Sequence, residues 1–194
     1  LRGIRFGLAE PTVFKAQLRA LLRASSHGML QIMFPFVSSV EEMRAARALL
    51  HEVKLEIESA QGVLPPVPVG MMIEVPSAAI TASILATEAD FFTVGTNDLI
   101  QYLLAVDRTD ERVSDRYEPL HPAVLDLLRQ IRRAATKHHL AVSVCGEMAS
   151  DPVLLQVLVG CGFTEFSMTP GALSTARRVL MQTHVSRMVQ AVSD

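Results

Sequence analysis

The 194-residue chain has no tryptophan, two tyrosines and two cysteines, and its charges nearly cancel, with 18 lysines and arginines against 20 aspartates and glutamates. Each scarcity excludes something. A net charge of −2 argues against a general nucleic-acid surface and leaves room only for a local basic pocket. No apolar run reaches the roughly 20 residues that span a bilayer, and no signal-peptide pattern opens the chain. Cys145 and Cys161 sit in hydrophobic segments without metal-ligand spacing, which fits two buried thiols in a reducing, cytoplasmic setting. No Gly-x-Gly-x-x-Gly follows any apolar run, so the dinucleotide fingerprint is missing. The opening LRGIRFGLAEP lacks an initiating methionine and suggests a fragment or a processed chain. Apolar side chains are plentiful: 49% of residues are hydrophobic, enough for one core and too many for disorder.

Those apolar residues come in two rhythms. Short, nearly continuous runs predict parallel strands at residues 30–34 (LQIMF), 67–75 (VPVGMMIEV), 91–94 (FFTV), 141–144 (AVSV) and 165–168 (EFSM). Between them lie helical patterns. Residues 11–24 place Phe14, Leu18, Leu21 and Leu22 at helical spacing, and Ser38-Ser39-Val40-Glu41-Glu42 supplies a cap and first-turn acids for a helix toward Ser59. Residues 77–86, 99–106 and 123–138 also read as helical, and Asp151-Pro152 opens another helix. Residues 61–68 read as a loop, and Met29, Met33, Met71 and Met72 as core. This order predicts one domain over 1–194, built on a parallel sheet with right-handed crossovers, as either an open doubly wound sheet or part of an eight-stranded barrel. The polar residues favour the barrel. Glu74, Asn97, Asp98, Cys145 and Glu147 all follow strands, and a barrel gathers such ends at one mouth.

The chemistry sits at those strand ends. Glu74, in MMIEVP, is a carboxylate ending an oily strand and needs a cation or strong donors. With Asp98 it offers two carboxylates that suit Mg²⁺; capping of the next helix by Asp98, and pairing of Glu74 with an arginine, are the alternatives. Asn97 can donate its amide protons to a phosphate oxygen, and Arg108 offers a planar fork, unless it pairs with Asp107 or Asp110. Arg2 and Arg5 are open in the same way. Cys145 precedes Gly146 and has no adjacent histidine to make it a thiolate, so a proton-donating role is favoured over a nucleophilic one, with packing as the alternative.

Taken in order, MFPFVSSVEEMR, VGMMIEVPSAA, DFFTVGTNDLIQYLLAVDR, VCGEMASDP and GFTEFSM resemble the C-terminal phosphoenolpyruvate-binding domain of enzyme I, the phosphotransferase family that opens the bacterial sugar phosphotransferase system. Dikinases and synthases that use phosphoenolpyruvate share GTNDL and CGE; the AVDR continuation is closer to enzyme I. The resemblance implies a TIM-type (β/α)8 barrel, here only its last five or so units, in a cytoplasmic, homodimeric transferase. It implies Mg²⁺ held by Glu74 and Asp98, phosphate bound by Arg2, Asn97 and Arg108 beside Asp98, and Cys145 as the acid that protonates the enolate on its way to pyruvate. It also implies partners outside these residues: a phosphohistidine domain of a longer chain and, through it, a histidine-containing phosphocarrier protein. A dikinase or synthase fragment, or a catalytically silent dimerisation module, are the competing readings. A partial barrel should be inactive alone and should self-associate through open edges and an uncovered apolar inner face.

Overall fold

In the computed structural model, which describes residues 1–193, two helices come first, α1 (Ile4–Ala9) and α2 (Pro11–Ala24). There follow β1 (Ile32–Phe34), α3 (Val40–Gln61), β2 (Val69–Ile73), α4 (Pro76–Ile80), α5 (Ala82–Leu85), β3 (Phe91–Gly95) and α6 (Thr96–Leu104). The chain continues through α7 (Pro122–Lys137), β4 (Ala141–Cys145), α8 (Glu147–Ser150), α9 (Pro152–Gly160), β5 (Glu165–Phe166), α10 (Leu173–Gln182) and α11 (Val185–Ser193). All five expected strands form, and they pair in the order β1-β2-β3-β4-β5, each pair parallel. Strictly sequential parallel pairing with crossovers of one hand puts the helices on one face of the sheet.

The register shows how the sheet divides its side chains. Phe34, Met71, Phe92 and Val142 lie in one cross-strand row, and Ile73, Val94 and Val144 in the next; all seven are buried. α3 lays Met43, Ala46, Leu50, Val53 and Ile57 into this core at helical spacing, after the Ser39 side chain accepts from the Glu42 amide at its start. α7 adds Val124, Leu128 and Ile131, all fully buried. The opposite face is mixed rather than apolar. Met72, Thr93, Ser143 and Glu165 share one row, with the Thr93 and Ser143 hydroxyls 3.0 Å apart. The expected oily inner face is therefore half polar, because alternate strand positions carry hydroxyls and a carboxylate.

Other expectations shift in detail. Residues 77–86 do not form one helix: Thr81, whose hydroxyl donates to the Ser77 carbonyl at 2.7 Å, separates α4 from α5. Of the four methionines read as core, Met71 is buried, Met33 and Met72 are half-buried, and Met29 is fully exposed ahead of β1. α1, α10 and α11 had no counterpart in the sequence reading. α1 is six residues long and its N-cap, Gly3, makes no side-chain capping bond, so it carries little local signal.

Candidate functional site

The site forms at the C-terminal end of β2, β3 and β4. Gly95 of β3 stands opposite Cys145 of β4, and Glu74 follows the last residue of β2. Gly95 has to be glycine for a spatial reason: a Cβ there would lie 2.9 Å from the Glu74 Cβ and 3.0 Å from its Oε2. Glu74 thus folds over the end of β3. Its Oε1 accepts the Phe36 amide at 2.7 Å, and the residue as a whole is 6% exposed. Phe36 holds that amide in place with a left-handed backbone, φ 65°, rare for a residue with a Cβ. Burial pushes the Glu74 carboxyl above its ordinary range, the Phe36 amide opposes this, and the Asp98 carboxylate adds to it.

Asp98 belongs to the first turn of α6 and is nearly buried. It does not cap the helix by its side chain; Gly95 is the N-cap position, with no side-chain bond. Instead Asp98 Oδ2 pairs with the Arg2 guanidinium, whose Cζ lies 4.6 Å above the Phe36 ring. Arg5 approaches the same ring at 5.5 Å but pairs with Glu42 and Ser38, away from the two carboxylates.

Asn97 is held from two sides. Its Oδ1 accepts the Glu147 amide at 2.9 Å, and its carbonyl accepts the Tyr117 hydroxyl at 3.4 Å. With its oxygen engaged by a backbone donor, the side-chain NH2 is the end left to meet an acceptor. Gly146, at φ 101°, permits this approach, since a Cβ there would collide with Thr96 Oγ1 and stand 2.8 Å from Asn97 Oδ1. Arg108 pairs with Glu147 at 2.9 Å, and not with Asp107 or Asp110, whose carboxylates are taken by Thr109 and Arg112. Arg108, Thr109, Ser114, Tyr117 and Glu147 line one open pocket of about 370 Å³. Cys145 Sγ donates to the Val94 carbonyl at 3.5 Å, and burial together with the nearby Glu74 charge pushes its thiol above the ordinary range. That direction favours the protonated thiol over the thiolate.

Glu74, Asp98 and Arg2 therefore meet on one side and Asn97, Arg108 and Cys145 lie along the same sheet end, whereas Arg5 is engaged elsewhere by Glu42 and Ser38. Two participants were not foreseen, and a third was noted without its links. Phe36 acts through an unusual φ that no residue pattern announces. Tyr117 lies twenty residues from Asn97 in a loop and carries no motif; burial, with the Glu147 charge, pushes its phenol up to about 12. Glu147 was noted after its strand, but its link to both Arg108 and Asn97 was not. Among the described residues no set of three or more His, Cys, Asp or Glu is placed to hold a metal ion. Two carboxylates alone suit a hard cation that keeps water and takes further oxygens from a ligand, and an arginine already neutralises one of them.

Residues 1–185 match the family model described as "PEP-utilising enzyme, PEP-binding domain". Two phosphoenolpyruvate-protein phosphotransferases, from Priestia megaterium and Bacillus subtilis (strain 168), are each 48% identical, over 93% and 91% of this chain. The phosphoenolpyruvate-protein phosphotransferase of Staphylococcus carnosus (strain TM300) is 45% identical over 96% of it. The chain spans about a third of the length of these relatives, 31% to 33%. A citrate lyase crystal structure from Burkholderia xenovorans superposes with a TM-score of 0.63 over 85% of this chain and 53% of that one, at 20% identity, which shows a shared fold alone. The family match covers all of β1 to β5 and every residue of the site, so this chain belongs to the family of PEP-binding domains of PEP-utilising enzymes.

Proposed function

We propose that this chain is the phosphoenolpyruvate-binding part of a cytoplasmic phosphoenolpyruvate–protein phosphotransferase, and that its five-stranded arc is the C-terminal portion of a (β/α)8 barrel. The observation that carries this reading is the meeting, at one sheet end, of two carboxylates, two arginines, an amide with a free NH2 and a half-buried free thiol. Phosphoenolpyruvate is a small, highly charged anion that needs each of these. Glu74 and Asp98 would hold Mg²⁺, which supplies neutralisation of the charge on the transferring phosphoryl group. Arg2, Arg108 and the Asn97 amide bind and orient the phosphate, the arginines exchanging Asp98 and Glu147 for phosphate oxygens.

The phosphoryl group leaves the enol oxygen for an imidazole nitrogen of a protein histidine on another domain of the parent chain. The enolate left behind takes a proton at its methylene carbon from Cys145 Sγ and becomes pyruvate, and the thiolate recovers its proton from solvent. From that histidine the phosphate would pass to a histidine-containing phosphocarrier protein. The parent works as a homodimer in this reading.

Calorimetry on the full-length parent tests it. Phosphoenolpyruvate binding should require Mg²⁺ and should weaken at least about tenfold in Asp98→Asn, Asn97→Ala and Arg108→Ala, the loss expected for a charge-assisted bond to a bound anion. Binding that is indifferent to Mg²⁺ and to all three substitutions would refute the assignment.

A further inference from the structure

Arg2 is bound to the carboxylate that the reading above gives to a cation. Its guanidinium pairs with Asp98 Oδ2 and lies over the Phe36 ring, whose own amide grips Glu74 at 2.7 Å. The N-terminal segment is docked there: the Ile4 amide donates to the Pro35 carbonyl at 3.0 Å, and a Cβ on Gly3 would lie 2.5 Å from the Phe36 Cβ. Arg2 is thus aimed at Asp98 by a short, anchored path, while 57% of its side-chain surface remains open to move.

We propose that Arg2 is the internal counter-ion of this site, competing with a divalent cation for Asp98, and that a phosphorylated ligand relieves the competition by drawing the guanidinium onto its phosphate. The inference rests on the reading of Glu74 and Asp98 as cation ligands. Asp98 Oδ2 cannot serve a guanidinium and an inner-shell cation with the same lone pairs, and two positive charges at one carboxylate repel. A phosphate nearby offers Arg2 a bidentate alternative on the same Phe36 platform, since cation–π contact tolerates small displacements across a ring face. Cation and phosphorylated ligand then bind with positive coupling, and by linkage each tightens the other equally. Arg5 provides the internal control. It carries the same charge over the same ring but pairs with Glu42 instead.

The test uses Mn²⁺ as the probe, with affinity for the full-length protein read by electron paramagnetic resonance, so that no turnover is needed. Without phosphoenolpyruvate, Arg2→Gln should bind Mn²⁺ about three- to fivefold more tightly than wild type, a magnitude set by the exposure of the pair. Arg5→Gln should stay within about twofold. Phosphoenolpyruvate should tighten Mn²⁺ binding in wild type and do so less in Arg2→Gln, with Arg2→Met as a second neutral variant giving the same pattern. Mn²⁺ binding that depends on Asp98 and Glu74 but is unchanged or weaker in both Arg2 variants overturns this inference and leaves the cation site standing. No Mn²⁺ binding in any variant, with or without phosphoenolpyruvate, overturns both.

Discussion

The thiol of Cys145 keeps its proton because burial and the neighbouring Glu74 carboxylate both oppose a thiolate. If that proton goes to the enolate, Cys145→Ala in the full-length parent should cut pyruvate formation by about 100-fold, the scale of a lost general acid, while phosphoenolpyruvate binding stays within about threefold. Lost binding with unchanged turnover, measured by calorimetry and pyruvate release, would make Cys145 a packing residue. The sign of the pH dependence follows. The competent form is protonated, so the step should persist through neutral pH and fall only above the ordinary thiol range of about 8.5. Glu74 sends a second signal. Its folded pKa lies above the ordinary 4.5, so the stability it contributes is full below that pH and is lost as pH rises through the raised folded value. Above that raised value an ionised Glu74 therefore costs stability, whereas glutamine keeps an oxygen for the Phe36 amide without the charge. With chelator present, Glu74→Gln should raise Tm by about 2–4 °C, the shift that roughly 1 kcal/mol gives in a domain of this size. A lower Tm in that melt would show that the carboxylate is structural.

Each element contributes to the site mainly through how it ends. β3 stops at Gly95 so that Glu74 can cross over it, and β4 stops before Gly146 so that α6 can come close. Thr96 ties the two ends together, its hydroxyl donating to the Cys145 carbonyl at 2.9 Å. Gly146→Ala tests this turn. A methyl at φ 101° is strained and meets Thr96 and Asn97, so we expect a loss of about 2–4 kcal/mol in stability from the two effects together. Because Asn97 must also move, phosphoenolpyruvate affinity should fall along with Tm in denaturation and calorimetric measurements on the same protein. Unchanged affinity would separate the turn from the site.

For the molecule as a whole, the sheet order leaves β1 paired on one side only among the described residues. Beside that edge, Gly3, Phe6, Val13, Phe14, Leu21 and Met33 line part of a largely apolar cleft of about 240 Å³. An unpaired edge flanked by apolar surface recruits another strand or another chain. This 194-residue segment expressed alone should scatter light as dimers or larger species, and Val13→Lys, a charge placed in the cleft, should shift it toward monomer. A monodisperse monomer in both cases would mean that the edge is protected as it stands.

Local pattern determined a great deal of this. Continuous apolar runs marked all five strands, and Asp151 before Pro152 marked α9, where the Asp151 carboxylate accepts two amides at 2.8 and 2.9 Å. The positions of Glu74, Asn97, Asp98 and Cys145 after strands foretold one shared end, because in a parallel sheet every strand points the same way. Tertiary structure alone decided the partners. Arg2 and Asp98 lie 96 residues apart, Arg108 and Glu147 39, and Phe36 and Glu74 38; such pairings depend on where whole strands pack. The left-handed turn at Phe36 belongs to the same class. An intrinsic preference would put that residue elsewhere in φ, and it is met there by tertiary contacts, the close approach of Gly3, the bond from its amide to Glu74 and the packing of its ring on Tyr102.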